Sequence, residues 1–482
     1  MTVPSPYALL PLTIFDDAWS PTNFATGWLV EGIIDENKLR TALNALTLKW
    51  RLLSGRLEKV NGDTYTKWLL RVPLGDLPPD YATFSLTSRV SEVPLSRYVT
   101  LPLPPVSPFP PGDVFIHSTM PHDSEGWAAQ KAPLTFWHLT YFHSRDSSDS
   151  SPSYTCIGFT WPHGIFDGVG ASLVLRALDD ELHGRDWTVP FTLSEGYNEN
   201  PLQRVLDDSS TQSGAEIAKY KGMCAVPWWI AIFGLLWCAW ETWWLKAQYR
   251  LIVVPRNVYQ RLADDVRVQL QERYGSTLEV DPSKITSSDV LTAFLFKALY
   301  GVGARPDLKI NCTYFIEFRK QISTDAFDFA KFPHNSFVPL SHPITTVSSL
   351  RETSLADLAY TFARSRLSFD STQVFSAYHF LRDLSTKKGF LFNPAHPDVD
   401  EALMVSNVSA QRIVEFDWTS LGAGRTVSSY RINSSRLPVR FSRLLSLAGR
   451  LADGSALIDG VLTERSWDHV QREFEQLITD YS

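Results

Sequence analysis

Cysteine is scarce. The four residues Cys156, Cys224, Cys238 and Cys312 are too few and too scattered for a disulfide framework. No pair has the spacing of a zinc knuckle or a redox CxxC, which points to a reducing compartment and no metal. Positive charge is short as well: 45 Lys+Arg against 52 Asp+Glu leave a net charge of −7, so no overall field exists to hold a polyanion. Nucleic acid is therefore not an expected partner. The stretch from Met1 to Tyr7 lacks a basic region followed by an apolar run, so no signal peptide is expected and the location is read as cytoplasmic. Dinucleotide-type GxGxxG, P-loop and hydrolase-type GxSxG motifs do not occur. His138 and His143 fall on opposite faces of an expected strand and cannot share a metal, while His117 and His122 flank a loop.

What is there is an ordinary globular mix, 44% hydrophobic and 20% charged over 482 residues, enough chain for two to four domains. Gly27 to Gly32 reads as a short strand, and Asp35 as the N-cap of a helix whose apolar face is Leu39, Leu43, Leu46 and Trp50. Residues 100–112 are proline-rich and 144–153 Ser/Asp-rich, both irregular loops. Phe136 to His143 is a strand, and Tyr154 to Trp161 a second one, apolar on both faces and so central in its sheet. A helix follows from Gly168 to Leu182. After an expected linker at 207–214 come a strand at Leu251 to Val254, a helix opened by the capping box Thr286 and Asp289, and a strand at Ile310 to Glu317. The mixed order predicts a layered α/β (α+β) chain of two lobes. The acidic pairs Asp16-Asp17, Asp179-Asp180 and Asp264-Asp265 are read as solvated positions or caps.

Chemistry concentrates at Thr160-Trp161-Pro162-His163-Gly164-Ile165-Phe166-Asp167-Gly168, between a buried strand and a helix. A turn at a sheet edge presents side chains on rigid support. His163 can take a proton near neutral pH, and Asp167 could either orient the imidazole or hold the turn by pairing with a distant cation.

This run resembles the HxxxD segment of the BAHD acyltransferases, in the fungal branch of trichothecene O-acetyltransferase-like enzymes. Leu53-Ser54-Gly55-Arg56-Leu57 is similar to the family's strand after its first helix, Ile285 to Phe294 to the helix opening its second lobe, Glu317-Phe318-Arg319 to its D-x-R element, and Pro333-His334-Asn335 to its GN turn. The family's DFGWG signature is reduced, at Glu415-Phe416-Asp417-Trp418, to an aspartate with adjacent aromatics. The resemblance implies two chloramphenicol-acetyltransferase-like lobes with a tunnel between them, residues 1–205 and 251–482, joined by a crossover at 206–250. It implies that His163 acts as general base on an acceptor alcohol or amine that attacks acyl-CoA, with acetyl-CoA the expected donor and no acyl-enzyme. Asp167 would pair with Arg319, Ser406 and Asn407 would contact the oxyanion or substrate, and Lys284 and Arg425 would meet the CoA phosphates. The chain is read as a monomer. A carrier-protein-dependent condensation enzyme shares the layout but has a doubled histidine, where this chain has Pro162; an inactive membrane-attached binding protein is a further alternative.

Six of the 16 tryptophans crowd between Trp228 and Trp244, in a run from Met223 without charge to Trp240. The run, residues 223–245, has three readings: a helix buried between lobes, a helix lying in a membrane surface, or a span. Tryptophan clustering with Lys219, Lys221 and Lys246 nearby favours the interfacial one, a peripheral membrane contact.

Overall fold

The computed structural model describes residues 6–60, 67–143, 152–208, 219–301, 303–325, 327–387, 389–434 and 439–481. Most of the expected loop at 144–153 and most of the expected linker at 207–214 lie outside the described residues. The expected capping signals are realised in side-chain geometry. Asp35 accepts the Asn37 and Lys38 amides at the start of the helix Glu36–Lys49. Thr286 and Asp289 exchange hydrogen bonds at the start of Ser287–Tyr300. Each satisfies amide donors that the first helical turn would otherwise leave without partners.

Two sheets organise the molecule. The first runs in the order Ala423–Ser434, Asn23–Gly32, Tyr154–Pro162, Phe136–Phe142, Ser85–Val90. Tyr154–Pro162 is its middle strand, buried at all but its first residue, which is why its sequence is apolar in both phases. The second runs Phe337–Ser341, Lys309–Glu317, Glu401–Asn407, Leu444–Arg450, Ala456–Leu462, Gln248–Val254, Val106–Pro108.

Each half of the chain lends a strand to the other's sheet. Ala423–Ser434 pairs with Asn23–Gly32, and Val106–Pro108 pairs with Gln248–Val254. The proline-rich stretch 100–112 is thus not wholly irregular: it ends a sheet, where a strand keeps one ladder side free and tolerates proline. Helices Arg256–Tyr274, Ser287–Tyr300, Leu355–Leu367 and Glu464–Tyr481 bury their apolar stripes in one core with the second sheet.

The tryptophan-rich run forms the helix Trp228–Trp243, preceded by a short strand Cys224–Pro227 that pairs with Phe390–Asn393. The buried-helix reading is overturned. Glu241 alone of its residues is buried, while Phe233 is 65% and Trp243 67% exposed. The run has no polar face to turn outward, and no layer of the described structure covers its outer side. Among the described residues no helix is long and apolar enough to cross a membrane, which removes the spanning reading as well.

Candidate active site

His163 follows the buried strand directly, held by its backbone: its N–H donates to the Thr22 carbonyl at 3.1 Å, and its carbonyl accepts the Asn335 amide at 2.8 Å. The ring is 8% exposed and packed among aromatics. Trp19 stacks on it at 5.3 Å, Phe337 at 5.8 Å, and Phe24 meets it edge-on at 5.0 Å. Nδ1 lies 3.3 Å from the Phe166 carbonyl, which only accepts, so the ring proton belongs on Nδ1 and the lone pair on Nε2. Burial pushes the imidazole down to about 4, against a smaller opposing pull from the Phe166 carbonyl and the Asp167 charge. A neutral imidazole whose Nε2 has no partner among the described residues can accept a proton there.

Asp167 does a different job. Its Oδ1 accepts the Gly170 N–H at 2.9 Å, capping Gly168–Leu182, and also the Arg319 Nη2 at 3.0 Å, while Oδ2 takes the Ser336 N–H at 3.1 Å. Arg319, 2% exposed, also donates to the Phe332 and His334 carbonyls and, through Nη1, to the Glu317 carboxylate. The carboxylate therefore ties the HxxxD turn to segment 332–336 and does not orient the imidazole.

A connection that sequence reading missed supports the same segment. Asp16 is wholly buried, not a solvated position, and accepts both the N–H and the side-chain amide of Asn335, whose amide also reaches the His163 carbonyl. Burial raises Asp16 to about 7, with the bonds from Thr13 and Asn335 opposing. The Thr13/Asp16 capping pair was the signal that could have marked it.

His163 opens into a cavity of about 1260 Å³ lined by Trp19, Phe24, Phe315 and Phe337, by Ser406 and Asn407, and by the inner face of Trp228–Trp243. Asn407 is committed to the Ser409 amide and hydroxyl through Oδ1. Lys284 and Arg425 are not in the lining; both are exposed, and Arg425 is paired with Glu31 at 2.7 Å. Asp417 caps its own turn at Thr419, and Trp418 packs on Trp28 and Phe416, away from His163. No cluster among the described residues could hold a metal ion.

No family profile matches the chain. Curated relatives do. Acetyltransferase adrJ of Penicillium rubens is 22% identical over 474 residues, covering 93% of this chain and 91% of that protein. O-acyltransferase pboC of Aspergillus ustus is 28% identical over 183 residues, which is 38% of this chain and 34% of that protein. Among solved structures, F. graminearum TRI101 complexed with ethyl coenzyme A superposes with a TM-score of 0.66 over 98% of this chain and 99% of that one, at 13% identity. The TRI3 trichothecene 15-O-acetyltransferase of Fusarium sporotrichioides does so with a TM-score of 0.60 over 100% and 96%, at 12% identity. The chain thus has the fold of TRI101 and of the TRI3 trichothecene 15-O-acetyltransferase, and along most of its length it is similar in sequence to a fungal acetyltransferase.

Proposed function

We propose that the chain transfers an acyl group, acetyl in the first instance, from acyl-CoA to a hydroxyl of a hydrophobic small molecule, with no acyl-enzyme. The observation that carries this is His163: an imidazole with Nδ1 tied to a carbonyl and Nε2 free, facing a large aromatic cavity. F. sporotrichioides TRI101, which shares the fold, is described with coenzyme A and T-2 bound, in keeping with a CoA donor and a small-molecule acceptor.

His163 Nε2 takes the acceptor's hydroxyl proton as that oxygen attacks the thioester carbonyl. A tetrahedral oxyanion forms, for which the Ser406 hydroxyl, in the cavity wall, is the proposed donor. Collapse breaks the carbon–sulfur bond, and the imidazolium returns its proton to the departing thiolate, leaving ester and free CoA thiol. Holding both substrates in one cavity replaces a covalent intermediate. The two lobes, taken as 1–205 and 251–482, meet at this point. The test is thiol release from acetyl-CoA over a panel of apolar alcohols. Turnover retained by His163→Ala sinks the base assignment.

We also propose that the outer face of Trp228–Trp243 contacts a lipid surface. Trp229, Phe233, Leu236, Trp240 and Trp243 are exposed there, continuous in chain with exposed Trp244. Tryptophan favours the boundary between apolar and wet phases. The same helix lines the cavity with Ala231, Gly234 and Leu235, so the membrane face and the acceptor site share one wall.

A further inference from the structure

Around His163 the cavity wall is aromatic, yet where the two sheets meet it carries buried charge that the acyl-transfer step leaves unused. Ser406, Ser446 and Asp459 lie opposite one another on three adjacent strands of the second sheet. In-register neighbours share a face, so the three form a polar row, about 4.8 Å per strand. Arg431 reaches this row from the first sheet. Its guanidinium donates to the Ser446 hydroxyl and lies 4.7 Å over the ring of Phe24, the ring that meets His163 edge-on. All four side chains line the cavity.

The row is incompletely satisfied. Asp459 is 2% exposed, and its Oδ2 has no hydrogen-bond partner. Arg431 acts on it through charge and its own backbone N–H. Burial pushes the Asp459 carboxyl up to about 7 and lowers the Arg431 guanidinium from its ordinary value. Charged groups taken out of water are costly unless partnered, and a guanidinium has five N–H donors, of which Ser446 takes one. Further partners can come from what fills the cavity.

We propose that Arg431 and Asp459 form a recognition subsite for a second hydroxyl of the acceptor, one that accepts from the guanidinium and donates to the carboxyl. The inference rests on the acyl-transfer reading of the same cavity and narrows it. A hydroxyl is both donor and acceptor, whereas a carboxylate would meet Asp459 and an ammonium Arg431 with like charge. The acceptor class is therefore a neutral, apolar skeleton bearing at least two oxygens: one esterified beside His163 and one held where the sheets meet. A mono-ol of the same skeleton leaves the pair unfilled, and sites built to bond a hydroxyl discriminate strongly against analogues that lack it.

The experiment titrates rigid matched pairs, decalin diols and androstane diols against the corresponding mono-ols, into the full-length chain by calorimetry without CoA. A diol is expected to bind about ten-fold or more tighter than its mono-ol. Arg431→Gln and Asp459→Asn should erase that preference while leaving mono-ol affinity within about three-fold, and Ser446→Ala, the mildest change, should weaken it. Thermal melts establish that each variant is folded. Equal binding within every pair, no binding of any, or a diol preference kept by both charge variants overturns the proposal. Parallel assays of CoA release separate the two readings: diol preference without acyl transfer removes the enzyme assignment and leaves the subsite, and acyl transfer without diol preference does the reverse.

Discussion

The Asp167 carboxylate holds the Arg319 guanidinium at 3.0 Å across 152 positions of sequence, and in doing so turns away from His163 four residues before it. One motif thus contains the proposed base and a rivet. Breaking a buried pair by removing one partner leaves an uncompensated charge and costs about 3–5 kcal/mol. Asp167→Ala and Arg319→Ala should therefore each lower the melting temperature by several degrees and cut soluble yield. The double variant should cost less than the sum of the two, because no single charge is then stranded. Additive losses in a thermal melt would show that the two act separately.

His163→Ala should do the opposite. The side chain contributes stacking but no hydrogen bond between elements distant in sequence, so the melting temperature should hold while kcat falls by about 10² to 10⁴. Steady-state CoA release, with melts run beside it, separates loss of chemistry from loss of fold.

A pH profile reads the same residue without mutation. Burial places the folded His163 near 4, below its ordinary 6.5. The group is thus neutral from about pH 5 upward, so the fall in kcat/KM that it causes should lie below about pH 5, and an inflection near 7 would report Asp16 or Asp459 instead. The linked stability effect has a definite sign. Between the folded value and 6.5 the unfolded chain binds the extra proton, so stability from this group is present above that window and lost as pH falls through it. Relative to His163→Gln, wild type should lose stability between pH 6.5 and 4. A difference that stays constant across the window would contradict the buried, neutral ring.

Much of the site was legible where local rules decide it. The strand before His163 announces itself as central because both its faces are apolar, and Asp35 and Thr286 mark helix starts because first-turn amides need acceptors. The rest depends on pairing at long range. Trp19, Phe24, Phe315 and Phe337 come from separate segments and meet only once the sheets are assembled, and no periodicity reports that Ala423–Ser434 crosses into the first sheet beside Asn23–Gly32. Asp16 is readable as a cap of Thr13, but its burial is decided by Asn335, 319 positions away. Hydrophobicity likewise shows that 228–243 is apolar without showing which layer, if any, covers it.

The outer face of Trp228–Trp243 gives a prediction about location alone. Trp229, Phe233, Leu236 and Trp240 are exposed and absent from the cavity lining. Replacing all four with glutamine should abolish co-sedimentation with anionic phospholipid vesicles and leave kcat on a water-soluble alcohol unchanged. Wild-type protein that stays in the supernatant removes the membrane contact. A concentration-dependent dimer that the variant loses would mean a second copy covers this face.

Gly170 tests how tightly the two halves must close. It lies in the first turn of Gly168–Leu182, and its N–H donates to Asp167 Oδ1 at 2.9 Å. A Cβ here would press into the Pro333 carbonyl oxygen, far inside van der Waals contact. Pro333 adjoins the His334 carbonyl that binds Arg319 and the Asn335 amide that holds His163. Alanine would ordinarily favour a helix by about 1 kcal/mol over glycine. Here the clash with backbone should outweigh that gain, because a carbonyl fixed by its neighbours cannot swing aside as a flexible side chain can. Gly170→Ala should therefore lower the melting temperature and also reduce kcat, since moving segment 333–336 shifts both the Asp167–Arg319 pair and the Asn335 bond to His163. Gly184→Ala, at the far end of the same helix, would meet nothing within 4 Å but carries a φ of +62°, so it should cost some stability and leave kcat intact. If the two variants lose activity equally, the contact at Pro333 does not position His163.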